Sequence, residues 1–163
     1  MLRLTATILI TGALMTGALL AAAPARAAGG TSDAFQPKPA TGWSAEYDTA
    51  VKAINAGRYQ DAVTLLENVV TQQPRNADAL NYLGYAHRKL GNREKSLGYY
   101  QAALQNNPNH RGAREYLGEL YIQMGDLPKA EEQLATLSRL CPSGCPERAE
   151  LTSALAKARG QSS

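Results

Sequence analysis

The chain is 163 residues long, 44% hydrophobic and 19% charged, which suits one small domain with some length to spare. Its pI of 8.9 looks basic, but two of its 17 cations, Arg3 and Arg26, fall in an N-terminal stretch that holds no acid, and without them 15 cations face 14 anions. A balance that close to neutral excludes the electrostatic footprint of a nucleic-acid binder or of a protein held on anionic membranes.

Residues 1–27 begin with the single early cation Arg3, continue as an apolar run from Ile8 to Ala23, and end in Ala25-Arg26-Ala27. A positive start, an apolar middle and a small-x-small triplet are the parts of a bacterial-type secretory signal peptide, with cleavage expected after Ala27 and release to the periplasm or beyond. The alternative is an uncleaved inner-membrane anchor over residues 4–23, since the apolar run comes close to bilayer length. Membrane association is expected only in that case. No Cys follows the run, so a lipid-anchored variant is not expected.

Residues 28–42, AGGTSDAFQPKPATG, have no sustained apolar period and are rich in Gly, Pro, Ser and Thr. They read as a flexible or extended linker.

From residue 43 onward the chain repeats itself at a shift of 34. Gly57, Gly91 and Gly125 superpose, as do Pro74, Pro108 and Pro142. The same shift aligns Ala50 with Gly84 and Gly118, Ala62 with Ser96 and Ala130, and Leu66 with Tyr100 and Leu134. The glycines fall where a first helix ends and accept the left-handed conformation. Asn92 and Asp126 follow as expected N-caps, and Pro128 suits a first helical turn. The small residues let antiparallel helices approach, and the prolines stop the second helix of each unit.

A period of 34 with this helix-turn-helix punctuation resembles the tetratricopeptide repeat family. Residues 77–110 follow the family pattern nearly throughout, with Leu80, Leu83-Gly84, Gly91, Ser96, Tyr100, Ala103-Leu104 and Pro108 at its signature positions. Residues 111–144 match through Tyr116-Leu117-Gly118, Tyr121, Gly125-Asp126, Ala130 and Pro142. Residues 43–76 match in their second half, Gly57 to Pro74, and depart in the first helix at Glu46, Thr49 and Ala50. Residues 145–159 place Leu151, Ala154, Leu155 and Ala158 at helical spacing and read as a capping helix over the open end of the stack; residues 160–163 are expected to be a disordered tail. The resemblance implies an all-α fold, a right-handed α-solenoid of three hairpins and a cap.

The resemblance further implies a protein or peptide partner in the concave groove lined by the first helices. Carried residue by residue, the groove comprises Tyr47, Val51, Ile54, Asn81, Tyr82, Tyr85, Arg88, Lys89, Glu115, Tyr116, Glu119, Ile122 and Gln123. Four of these are tyrosines, whose large ring and hydratable hydroxyl suit a surface that alternates between water and a partner. The competing reading is packing between helices, as expected for Tyr99, Tyr100 and Tyr121. If the groove is a solvated surface, replacing Tyr82, Tyr85 and Arg88 together should leave the melting temperature nearly unchanged. Co-chaperone members grip a C-terminal carboxylate with Lys, Asn and Arg, but the corresponding positions here hold Tyr47, Val51, Tyr82, Gly112 and Tyr116, so that clamp is absent.

Cys141 and Cys145, in CPSGC, lie between the last repeat and the cap. An even count in an exported protein fits one disulfide, although a loop this short gains only about 2 kcal/mol by chain entropy. A redox-active dithiol acting in thiol-dependent maturation is the sharper alternative, and a metal site is disfavoured because His87 and His110 are the only histidines. No phosphate loop, nucleophile elbow or ligand pair appears, so neither catalysis nor a cofactor or metal is expected.

Overall fold

The computed structural model describes residues 45–161. The expected signal peptide, the linker, Trp43 and Ser44, and the last two residues of the expected tail lie outside them. The described residues form seven helices and no strand: α1 (Ala45–Asn55), α2 (Tyr59–Gln72), α3 (Ala77–Lys89), α4 (Arg93–Asn106), α5 (Arg111–Gln123), α6 (Leu127–Leu140) and α7 (Pro146–Gln161). They pair as hairpins α1–α2, α3–α4 and α5–α6, each stacked on the next, and α7 closes against α5 and α6. The all-helical solenoid that the sequence implies is the observed fold.

Each turn inside a hairpin is the same device. Gly57, Gly91 and Gly125 take positive φ of 71°, 80° and 79°. The next residue's N–H then reaches back to the helix, Arg58 to the Ala53 carbonyl, Asn92 to His87 and Asp126 to Tyr121, which closes the orphan carbonyls of the helix end. The second helices end at Gln72, Asn106 and Leu140, two residues before Pro74, Pro108 and Pro142. A proline there blocks the residue before it from continuing the helix.

The caps depart from expectation. Asp126 accepts from Lys129 N–H, but Asn92 makes no such bond, and its amide lies 3.3 Å from His87 Nδ1 instead. The caps of α3 and α5 are Asn76, accepting from Ala79 N–H, and His110, whose Nδ1 accepts from Ala113 N–H. His110 Nε2 lies 3.2 Å from Asp78 Oδ1 and so ties successive hairpins together. At the other end, α7 runs on through Gly160 to Gln161, past the point where the tail is expected to begin. Arg159, bonded to Glu131 Oε1 at 2.6 Å, anchors that last turn to α6.

Two small positions decide how closely the helices approach. A Cβ on Gly84 would stand 2.6 Å from the Tyr100 ring, which is fully buried in the same hairpin. Ser96 Oγ donates to the Gly84 carbonyl at 2.8 Å and holds that contact shut. At the equivalent Gly118, the neighbour is Leu151 of α7, also at 2.6 Å. The third hairpin therefore uses its small residue to seat the cap helix, with Leu151 and Leu155 as the buried anchors.

Candidate functional site

The first helices α1, α3 and α5 touch one another along their edges, while the second helices supply most of the packing behind them. On α1 the apolar positions Tyr47, Ala50, Val51 and Ile54 recur at one helical face, and on α3 every residue from Ala79 to Arg88 is buried. Burial of Asn81, His87 and Arg88 within that helix is unusual for polar side chains, which are retained inside only when paired.

Tyrosine rings run from one first helix to the next. Tyr47 stacks on Tyr82 with centroids 5.5 Å apart, Tyr85 lies 5.0 Å from Tyr116, and Tyr59 of α2 meets Tyr85 at 6.2 Å. The Arg88 guanidinium sits over both Tyr85 and Tyr116, at 5.4 and 5.5 Å, and pairs with Glu119 at 2.6 Å. Lys89, on the exposed side, stands 5.2 Å over the Tyr85 ring. Such geometry is favourable for a cation against an aromatic face.

The site residues divide by accessibility. Tyr47, Val51, Ile54, Asn81, Tyr82, Tyr85, Arg88 and Glu115 are only 3–8% exposed. Tyr116, Glu119 and Ile122 are half-buried, and Lys89 and Gln123 are exposed. The expectation that Tyr82, Tyr85 and Arg88 can be replaced without cost to the fold is therefore wrong. Their rings and the Arg88–Glu119 pair are part of the packing, and removing them opens a cavity and strands a carboxylate. His87 is buried as its repeat position requires, and its ring lies parallel to Tyr99 at 5.4 Å.

Charge follows the same axis. Burial pushes the Glu115 carboxyl up to about 8, and Glu119, Glu147 and Glu150 add to the rise against the pull of Arg88. Burial also raises Tyr82 to about 12 and drives Tyr47 and Tyr116 upward. These hydroxyls remain neutral donors and acceptors at physiological pH. Arg111 lies 3.5 Å from Glu147. The α5 end thus gathers carboxylates from two helices, which the sequence did not reveal because Glu147 and Glu150 join it only when α7 folds back. Arg88 pairs with Glu119, and Lys89 beside it is exposed.

Cys141 and Cys145 are brought together, Sγ to Sγ 2.05 Å and Cα to Cα 6.0 Å. Cys141 is buried, and Arg148 Nη1 donates to the carbonyls of Cys141 and Pro142 across the same turn. Among the described residues no group of His, Cys, Asp and Glu is arranged to hold a metal ion, and no helix is long and apolar enough to cross a membrane.

A family model described as tetratricopeptide repeat matches residues 47–110 and 83–144. Among curated proteins, the chain is 32% identical over 92 residues to the cellulose synthase 2 operon protein C of Komagataeibacter xylinus, covering 56% of this chain and 7% of that one. It is 26% identical over 103 residues to mouse tetratricopeptide repeat protein 14, covering 63% of this chain and 13% of that one. It therefore corresponds to a small part of either relative. Among solved structures, the Yersinia enterocolitica type III secretion chaperone SycD, in complex with a peptide of the translocator YopD, superposes with a TM-score of 0.62 at 19% identity, covering 72% of this chain and 92% of that one.

Proposed function

The chain belongs to the tetratricopeptide repeat family, and from that premise we propose that it is a non-enzymatic protein-binding module of the bacterial cell envelope, an adaptor or assembly factor that holds a partner segment on the concave face of α1, α3 and α5. The observation that carries this reading is the accessible part of that face, half-buried Tyr116 and Glu119 with exposed Lys89 and Gln123, held in place by the buried tyrosine row behind them. Aromatic rings that keep a polar end, flanked by charge of both signs, are what recurrent protein contact surfaces are built from. The similar solved structure that holds a translocator peptide supports a peptide as the occupant, and the signal-like pattern of residues 1–27 supports export as the setting.

Cys141 and Cys145 act in this proposal as a structural disulfide that fixes the angle at which α7 returns. Burial of Cys141 and the Arg148 clamp on the same turn support a fixed joint over an exchanging dithiol.

Photo-crosslinking in the intact envelope tests the groove. A crosslinking residue in place of exposed Lys89 should capture a discrete partner, identified by mass spectrometry, and one in place of exposed Gln101 on α4 should not. Equal capture from the two positions, or capture from Gln101 alone, would remove the concave face as the binding site.

A further inference from the structure

Helix α7 packs on both helices of the third hairpin, with Leu151 seated at Gly118 of α5. At the repeat shift of 34, Glu150 of α7 takes the place held by Tyr82 and Tyr116, and Glu115 takes the place held by Tyr47 and Asn81. Positions in register thus change from tyrosine and amide to carboxylate at the α5–α7 end.

Two of the carboxyls there lack what burial demands. Glu115 is only 8% exposed, and among the described residues it enters no hydrogen bond or ion pair. Around it stand Glu119 on its own helix, Glu147 and Glu150 on α7, and Arg88 on α3, and the three acids together with burial hold its carboxyl up to about 8. Glu147 faces Arg111 through Oε1 at 3.5 Å, while its Oε2 is buried with no hydrogen-bond donor among the described residues. A buried acceptor without a donor is costly, and a second positive charge supplied from outside would offset that cost. Among the described residues no group is arranged to hold a metal ion, so the cation that fits is a side chain. A guanidinium matches best, because its fork of donors can serve separate carboxylates at once.

We propose that the α5–α7 end is a subsite for an arginine of the bound partner segment, its guanidinium between Glu115 and Glu147 with exposed Glu150 at the mouth. The proposal rests on the groove reading above and names one residue of its occupant. Docking requires Glu115 to ionise, so a proton leaves as the arginine enters.

The experiment compares two pools of short acetylated, amidated peptides, randomised over uncharged residues except for a central position that is arginine in one pool and neutral citrulline in the other. The immobilised full chain should retain the arginine pool several-fold over the citrulline pool, and Glu150→Gln or Glu115→Gln should each reduce that excess. Because arginine stays charged, the pH dependence belongs to the protein: the excess should rise roughly tenfold between pH 7 and pH 9, as the ionised fraction of Glu115 rises, and Glu115→Gln should flatten the profile. Equal retention of the two pools, or retention of neither, would overturn the proposal. So would an arginine excess that survives both substitutions or does not vary with pH, since the cation would then be held elsewhere. The groove reading fails separately, through the Lys89 crosslink, which uses no peptide pool.

Discussion

The second and third hairpins descend from one sequence template and reach different solutions. In the second, Gly84 receives a fully buried tyrosine of its own hairpin, and α3 is buried from Ala79 to Arg88. In the third, Gly118 receives Leu151 of α7, and α5 carries Glu115 and Glu119 into a face shared with Glu147 and Glu150. The interior hairpin is committed to packing, whereas the terminal one divides its surface between a cap and a charged rim. A repeat unit in a solenoid is thus defined by its neighbours as much as by its own residues.

The largest expected effect lies where the two hairpins meet. Arg88→Ala leaves Glu119 without its 2.6 Å partner and should cost about 3 kcal/mol or more in denaturant unfolding, with Glu119→Gln in the same chain recovering part of the loss. Recovery of nothing would mean that the ring contacts of Arg88, rather than its charge, unite the hairpins.

Glu115 should separate the hairpins by pH. Its folded carboxyl titrates near 8, above the unfolded value of 4.5, so the unfolded chain binds fewer protons between these limits and stability falls as pH rises through them. Glu115→Gln removes that slope. The variant should be more stable than the parent by a few kcal/mol above pH 8 and equal to it below about pH 4. Melting curves of the two chains that stay parallel across pH 4 to 9 would contradict the buried carboxyl.

Glycine substitutions give a smaller and more discriminating contrast. An alanine ordinarily stabilises a helix interior relative to glycine, and at exposed Gly98, with nothing within 4 Å of the added Cβ, it should do so by about 0.5–1 kcal/mol. At Gly84 the methyl enters the Tyr100 ring and should reverse the sign, costing about 2 kcal/mol. Gly118→Ala should cost less, because the Leu151 side chain has more rotamers through which to withdraw than a ring buried against Ser96. The smallest difference is between caps: Asp126→Ala should lower the Tm slightly, and Asn92→Ala should lower it less, since only Asp126 accepts a bond from its own helix.

Much of the helical fold was legible before any coordinates. The glycines at 57, 91 and 125 and the prolines at 74, 108 and 142 mark turns whose chemistry is local, requiring only a positive φ or the loss of one N–H. The capping roles of Asn76 and His110 were missed although both residues stand in the correct place, because a histidine between loop and helix has no single meaning without the Asp78 that orients its other nitrogen.

The groove was legible as a set of positions and illegible as a surface. The resemblance to tetratricopeptide repeats, carried residue by residue, implies Tyr47, Tyr82, Tyr85, Arg88, Glu115 and Tyr116 as the outward positions of the first helices, where side-chain direction follows sequence spacing. Only the tertiary structure decided that most of these are buried, that Arg88 is paired with Glu119, and that α7 brings Glu147 and Glu150 toward Glu115. Burial and pairing depend on what lies across from a residue, at sequence separations the repeat does not encode. The sequence by itself determined which helices form and where they turn; the approach of one helix to another determined what their shared face can do.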